Sequence, residues 1–190
     1  MRDADLARGV FREAAALFGT MAAERADETV RAADVIRTAL EGGRKVLVFG
    51  NGGSATDAEH LAAELVGRFR KQRPGLAAIA LTADSAVVTS IGNDFGFDEV
   101  FRRQVEALGQ PGDVAVALTT SGASPNVNLA LAAARERGLV TVGLTGRDGG
   151  ATGPLVDVHV NVPSADTARV QEVHRAVLHV LCELVERDRA

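Results

Sequence analysis

The spacing of apolar positions along this chain changes character near residue 43. Before that point Leu6, Val10, Phe11, Leu17, Phe18 and Met21 recur at helical intervals. A second helical segment starts near Asp27, an N-cap candidate, runs through Val30, Ile36 and Leu40, and stops at Gly42-Gly43. Beyond it, short apolar runs alternate with helical periods. The runs predict strands over 44–50, 76–82, 113–119, 140–145 and 156–162, and the periodic stretches predict helices over 54–69, 84–91, 97–108, 125–137 and 166–187. The strands are rich in Val, Leu, Ile and Ala and mostly lack in–out alternation, as strands covered on both faces do. Strand and helix in turn predict a five-stranded parallel sheet inside a three-layer α/β/α sandwich. No linker, repeat or low-complexity tract interrupts the pattern. Residues 1–190 therefore read as a single domain, with N-terminal helices over 1–43 and the α/β core over 44–190.

Composition narrows the partners more than the chemistry. Hydrophobic residues make up 46% of the 190 and charged ones 24%, ordinary for a globular chain with a full core. No apolar stretch approaches the ~18 residues of a membrane span. Asp3 and Asp5 stand where a signal peptide needs basic then apolar residues. The single cysteine, Cys182, excludes an internal disulfide and fits a reducing compartment, so a cytoplasmic location is expected. Net charge is −4 and the arginines are scattered, with no basic stripe and no Trp or Tyr. Neither nucleic acid nor a membrane is expected as a direct partner.

Two strand-to-helix loops carry the candidate chemistry. The first, G-N-G-G-S-A-T-D-A-E-H-L-A-A-E over 50–64, follows Val46-Leu47-Val48-Phe49. A glycine-rich turn at the carboxyl edge of a parallel sheet is where ligands usually bind. The helix after it carries His60 and Glu64 on one face by their i,i+4 spacing. The second loop, Thr119-Thr120-Ser121-Gly122-Ala123-Ser124-Pro125, sets four hydroxyls beside a helix start, with Ser124 at the N-cap and Pro125 at N1. That arrangement suits a phosphate or a polyol phosphate, and a capped helix with a polar turn is the plain alternative. Ser54, at the first helix N-terminus, is a second possible seat for phosphate. Neither loop has the NTPase phosphate-loop pattern or the dinucleotide fingerprint, so a small sugar phosphate fits better than a nucleotide.

Taken together, these stretches resemble the sugar isomerase (SIS) domain and, within it, the phosphoheptose isomerase family. The first loop with its helix, over 50–69, and T-S-G-A-S at 120–124 are shared widely among SIS domains. R-P-G at 73–75, G-N-D-F-G-F at 92–97 and R-V-Q-E-V-H-R-A-V-L-H at 169–179 are specific to the phosphoheptose branch. The resemblance implies a SIS fold, flavodoxin-like, and an aldose–ketose isomerase of sedoheptulose 7-phosphate. It implies one divalent metal per subunit, usually zinc (Zn2+), held by His60, Glu64, Gln171 and His179. Glu64 matches the general base and His179 the general acid. Asn51, Gly52, Gly53, Glu64, Asn93, Asp94, Thr119, Thr120, Ser121, Ser124 and Gln171 match substrate-binding positions. The family also forms tetramers. Two departures, Ala123 and Ala168, remove no implied metal ligand.

Aldose–ketose isomerisation needs a base at carbon, an acid–base group at the two oxygens, and positive charge for the developing oxyanion. A carboxylate, an imidazole and a metal supply those three roles. A glutamate serving as base is expected to be a weak or variable metal ligand. In the last helix Val170, Val173, Val177, Leu181 and Leu184 form the core stripe, and His179 points nearly opposite it. Gln171 lies eight residues from His179, about 12 Å along a straight helix, too far for one ion to take both. Leu178, Cys182 and Val185 form a second apolar strip, read here as the seat of a partner subunit that completes the site. His159 reads as a hydrogen-bonded strand histidine, His174 as a packing or supporting residue, and Cys182 as an apolar filler. Asp94 could simply cap a turn. Competing readings are a non-catalytic SIS protein that senses sugar phosphates or docks on a partner, and an isomerase or lyase of another phosphosugar.

Overall fold

The computed structural model describes residues 2–187. Helices α1 (Asp3–Glu24) and α2 (Ala26–Glu41) are joined at Arg25 alone, and Asp27 lies inside the first turn of α2 instead of capping it. Then follow β1 (Val46–Gly50), α3 (Gly53–Val66), β2 (Ala78–Ala80), α4 (Ser85–Phe95), α5 (Arg102–Leu108), β3 (Val114–Thr119), α6 (Pro125–Glu136), β4 (Val140–Gly146), β5 (Val158–Val162) and α7 (Thr167–Glu186).

All neighbouring strands pair in parallel, in the order β2-β1-β3-β4-β5. This is the flavodoxin-like order, and its direction reverses between β1 and β3. Gly50 pairs with Leu118 there, so the two loops predicted to bind ligand emerge side by side. Successive β1 residues explain the missing alternation. Val46 and Val48 pack under α2, α3 and α7 with Ile36, Leu61 and Leu181. Leu47 and Phe49 point to the other layer, with Val105, Val127 and Leu131.

Several element boundaries differ from the sequence reading. Strand β2 keeps only three of the seven predicted residues, as an edge strand with one pairing partner. The helix expected over 97–108 is broken: α4 runs on to Phe95, Gly96 takes φ +93°, Phe97–Glu99 form a 3-10 turn, and α5 starts at Arg102. Helix α3 ends at Val66 instead of Phe69. The chain then turns away, held by Arg73, whose guanidinium bonds the carbonyls of Glu64 and Leu65 at 2.8 Å each.

The Leu178, Cys182 and Val185 strip does not await a partner. The three side chains are 0%, 2% and 0% exposed, packed in the same cluster as Leu61 and Leu65 of α3. A strip at an intermediate angle to the core is covered here because α7 is flanked by α3 as well as backed by the sheet. Burial pushes the Cys182 thiol up to about 12, with the Glu64 and Glu186 carboxylates adding to the rise. Leu178→Ala should therefore lower the unfolding free energy by about 2–5 kcal/mol in urea titration, and Cys182 should resist thiol reagents until the chain unfolds. Labelling of Cys182 on mere dilution into separate folded chains would return the strip to an interface.

Candidate active site

The two loops at the switch point are tied by a reciprocal amide pair. Asn51 Nδ2 donates to Asn126 Oδ1 and Asn126 Nδ2 to Asn51 Oδ1, both at 2.9 Å. Thr119 Oγ1 is the hub of the hydroxyl loop, 3.3 Å from Ser121 Oγ and 3.1 Å from Ser124 Oγ, and Ser121 Oγ accepts the Ala123 N–H at 3.1 Å. Ser124 is the N-cap of α6, yet its side chain makes no capping bond, which leaves that helix start free to hold an anion. Gly122 shapes the loop. Its φ is +64°, and a Cβ there would lie 2.3 Å from the Gly149 carbonyl oxygen. The Thr152 N–H and hydroxyl both donate to the Gly122 carbonyl at 2.9 Å. Ser54 is buried below the first loop.

Beyond these loops α3 and α7 lie side by side and carry matched residues. At the start of α3, Gly53 faces the Gln171 amide so closely that a Cβ would lie 2.5 Å from Gln171 Nε2. One turn on, Asp57 Oδ1 pairs with Arg175 at 2.5 Å. Next, His60 Nε2 lies 3.0 Å from His179 Nε2, with ring centroids 5.1 Å apart. His60 Nε2 is also 3.4 Å from Glu64 Oε1. The Phe69 ring stacks on the His179 ring, 5.5 Å between centroids at 24°. Burial lowers the His60 pKa, the Arg175 guanidinium lowers it further, and Glu64 partly offsets both. Burial raises the Asp57 carboxyl against the opposing pull of Arg175.

The sequence-predicted residues thus fall into three groups. His60, Glu64 and His179 meet within one chain, and no neighbour is needed to bring them together. Asn51, Gly52, Gly53, Thr119, Thr120, Ser121 and Ser124 form the carboxyl-edge loops, with Gln171 against Gly53. The two groups do not converge on one point: His60 is about 10 Å and Glu64 about 16 Å beyond Gly53 along the helix. Asn93 and Asp94 form the third group, exposed near the end of α4, where Asn93 Nδ2 donates to Asp94 Oδ1 at 2.8 Å. Among the described residues no three His, Cys, Asp or Glu side chains close into a ready-made metal cage; His60 is instead the centre of a chain of two close pairs. Sequence reasoning missed Asn126, Thr152, the Asp57–Arg175 pair and Phe69. Asp57, Phe69 and Arg175 sit inside quoted motifs, but only the packing of α7 on α3 gives them partners.

The two remaining histidines support the β4 tip. His159 Nε2 lies 2.7 Å from Thr145 Oγ1. His174 is fully buried, its Nε2 3.0 Å from the Thr145 carbonyl, and burial lowers its pKa from 6.5 to about 4. A folded-state value below the unfolded one means the unfolded chain binds the proton more readily. Stability should fall as pH drops from 6.5 toward about 4, at up to about 1.4 kcal/mol per pH unit. His174→Gln keeps a donor near the Thr145 carbonyl and cannot titrate, so urea unfolding across that window should show a flatter slope than the parent chain. An unchanged slope would remove His174 as its source.

Comparison with known proteins gives the family and agrees with the fold. The SIS domain family matches residues 10–146. A phosphoheptose isomerase of Geobacter metallireducens is 59% identical over 155 residues, covering 82% of each chain. The solved phosphoheptose isomerase of Neisseria gonorrhoeae superposes with a TM-score of 0.93 at 42% identity, covering 98% of this chain and 100% of that one. The one from Francisella tularensis gives 0.96 at 36% identity, covering 99% and 100%. The chain belongs to the SIS domain family and, within it, to the phosphoheptose isomerases.

Proposed function

We propose that this chain converts D-sedoheptulose 7-phosphate to D-glycero-D-manno-heptose 7-phosphate, the first step of activated heptose synthesis, in a reducing cytoplasm. The observation that carries the reading is the His60–Glu64–His179 cluster, set on the α3–α7 pair of a fold whose switch point presents a hydroxyl-rich loop. Glu64 takes the proton from C1 of the ketose and returns it to C2. His179 gives a proton to the C2 oxygen and receives one from the C1 oxygen, passing through an enediol. The Thr119–Ser124 loop and the start of α6 hold the phosphate, and Gln171 with Asn51 holds the sugar hydroxyls.

The donor set fits a divalent ion such as zinc. Imidazole nitrogen and carboxylate oxygen are zinc ligands, and two ligands about 2.0–2.1 Å from a tetrahedral ion lie about 3.3 Å apart. The spacings of 3.0 Å and 3.4 Å around His60 are close to that, and a His60 held neutral offers a lone pair. His60, Glu64 and His179 would hold the ion, which supplies positive charge for the oxyanion when bound.

Two features support a homo-oligomer, a tetramer by the family's habit. Phe18, Val30 and Val180 leave an apolar face 40%, 43% and 44% exposed across α1, α2 and α7. The phosphate loop also lies too far from Glu64 for one small sugar to reach both within a chain. In the assembly, the cluster of one copy faces the loop and Gln171 of another.

The assay is incubation with sedoheptulose 7-phosphate, read by proton NMR in the anomeric region. Glu64→Gln should stay folded and lose at least ~10²-fold in turnover. A strong chelator should depress activity and zinc should restore it. Near-parental turnover by Glu64→Gln would remove that residue from the mechanism, and full activity in chelator would leave the cluster acting through protons alone. Sharing has its own test. Mixed Glu64→Gln and Gln171→Ala chains should regain activity on subunit exchange, whereas Glu64→Gln with His179→Ala should not, because those two lie on one chain. No rescue of either mixture despite verified subunit exchange would show that each chain builds its site alone.

A further inference from the structure

Arg73 and Glu186 form an ion pair with almost no access to water, Nε to Oε1 at 2.9 Å and side chains 1% and 2% exposed. Glu186 also accepts the backbone N–H groups of Phe69 (2.9 Å), Arg70 (2.8 Å) and Lys71 (2.9 Å). Arg73 reaches the other way, to the carbonyls of Glu64 (2.8 Å), Leu65 (2.8 Å) and Pro74 (3.0 Å). One pair thus joins the last turn of α3, the segment after it and the last turn of α7. A buried ion pair adds little net stability, because desolvation offsets the attraction, and its best-attested use is to fix register. The register fixed here is that of the two helices bearing Glu64 and His179. Arg73 holds the carbonyl of Glu64 itself. Glu186, two turns beyond His179 on α7, holds the N–H of Phe69, the residue whose ring stacks on His179.

We propose that the Arg73–Glu186 pair and Phe69 form a positioning device that sets the plane of the His179 imidazole relative to the Glu64 carboxylate. The role of that geometry in turnover rests on the assignment of Glu64 and His179 as the proton-transfer pair. The three N–H donors and Arg73 outweigh burial and hold the Glu186 carboxyl at about 2, so the clasp stays charged at any working pH. A phenyl ring lying face-on limits rotation of the imidazole beside it. A leucine would fill similar space without dictating a plane. None of the three residues needs to touch substrate.

The test uses the full chain with ring-labelled histidine and the variants Phe69→Leu, Phe69→Tyr and Glu186→Gln. The stacked phenyl should move the His179 ring-proton signals upfield, with assignment from their absence in His179→Ala. That displacement should vanish in Phe69→Leu, persist in Phe69→Tyr and shrink in folded Glu186→Gln. Turnover should fall about tenfold or more in Phe69→Leu and Glu186→Gln with KM within about twofold, the signature of a lost alignment and not of lost binding. Phe69→Tyr should recover most of the turnover. Unchanged His179 signals in folded Glu186→Gln, or parental kcat in Phe69→Leu, would overturn the proposal. Where Glu186→Gln fails to fold by circular dichroism, the two Phe69 variants decide. The NMR arm needs no isomerisation, so it separates a wrong positioning role from a wrong activity.

Discussion

Every strand in the sheet is parallel, so every connecting helix returns in the opposite direction, and helices on one face run parallel to one another. Helices α3 and α7 share a face, and this common direction lets their residues match turn by turn: Gly53 with Gln171, Asp57 with Arg175, His60 with His179. The approach is closest at Gly53, which has no side chain to hold off the Gln171 amide. An antiparallel neighbour would have set His60 against a different part of α7. The candidate catalytic cluster is thus a consequence of topology first and of individual side chains second.

Asp57, Arg73 and Glu186 are buried charges along this seam, and such charges are poor stabilisers unless fully satisfied. Asp57, with a side chain 5% exposed, has Arg175 against it. Glu186 is met by three N–H groups and a guanidinium. Arg73 spends its donors on carbonyls at the end of α3, groups that a helix C-terminus otherwise leaves open. Apolar residues of like size could fill the same space. What they could not do is reject a shift of one helix turn, because any slip would strand a charge in the core. The seam exchanges a little stability for a single register.

Much of this was legible in the sequence. Loop positions followed from the change in hydrophobic rhythm, and His60–Glu64 from simple i,i+4 arithmetic. The opposing face of α7 misled because a helical wheel gives angles but no neighbours. Leu178, Cys182 and Val185 looked free only because the wheel did not show α3 lying there. Phe69 and Glu186 were unreadable for a related reason: their contact joins residues 117 apart through a non-repetitive segment, and no local period encodes it. An interruption between 91 and 97 was expected, but not that α4 would run on to Phe95 or that a 3-10 turn would delay α5 to Arg102, because the apolar spacing of G-N-D-F-G-F continues across Gly96.

Helix length then divides the molecule's chemistry. A parallel sheet places the start of α3 at its carboxyl edge, beside the hydroxyl loop, and each further turn of helix moves about 5.4 Å toward the opposite edge. Gly53 and Gln171 occupy the first level, His60 and His179 lie two turns lower, and Glu64 lies one turn beyond them. On the proposed reading a seven-carbon sugar phosphate does not span those levels within one chain, and the loop and the cluster serve as halves of different sites. The exposed apolar face on α1, α2 and α7 is then more than a solubility liability. On that same proposed reading, its burial against another copy is the event that brings one chain's phosphate-holding half to another chain's proton-transferring half.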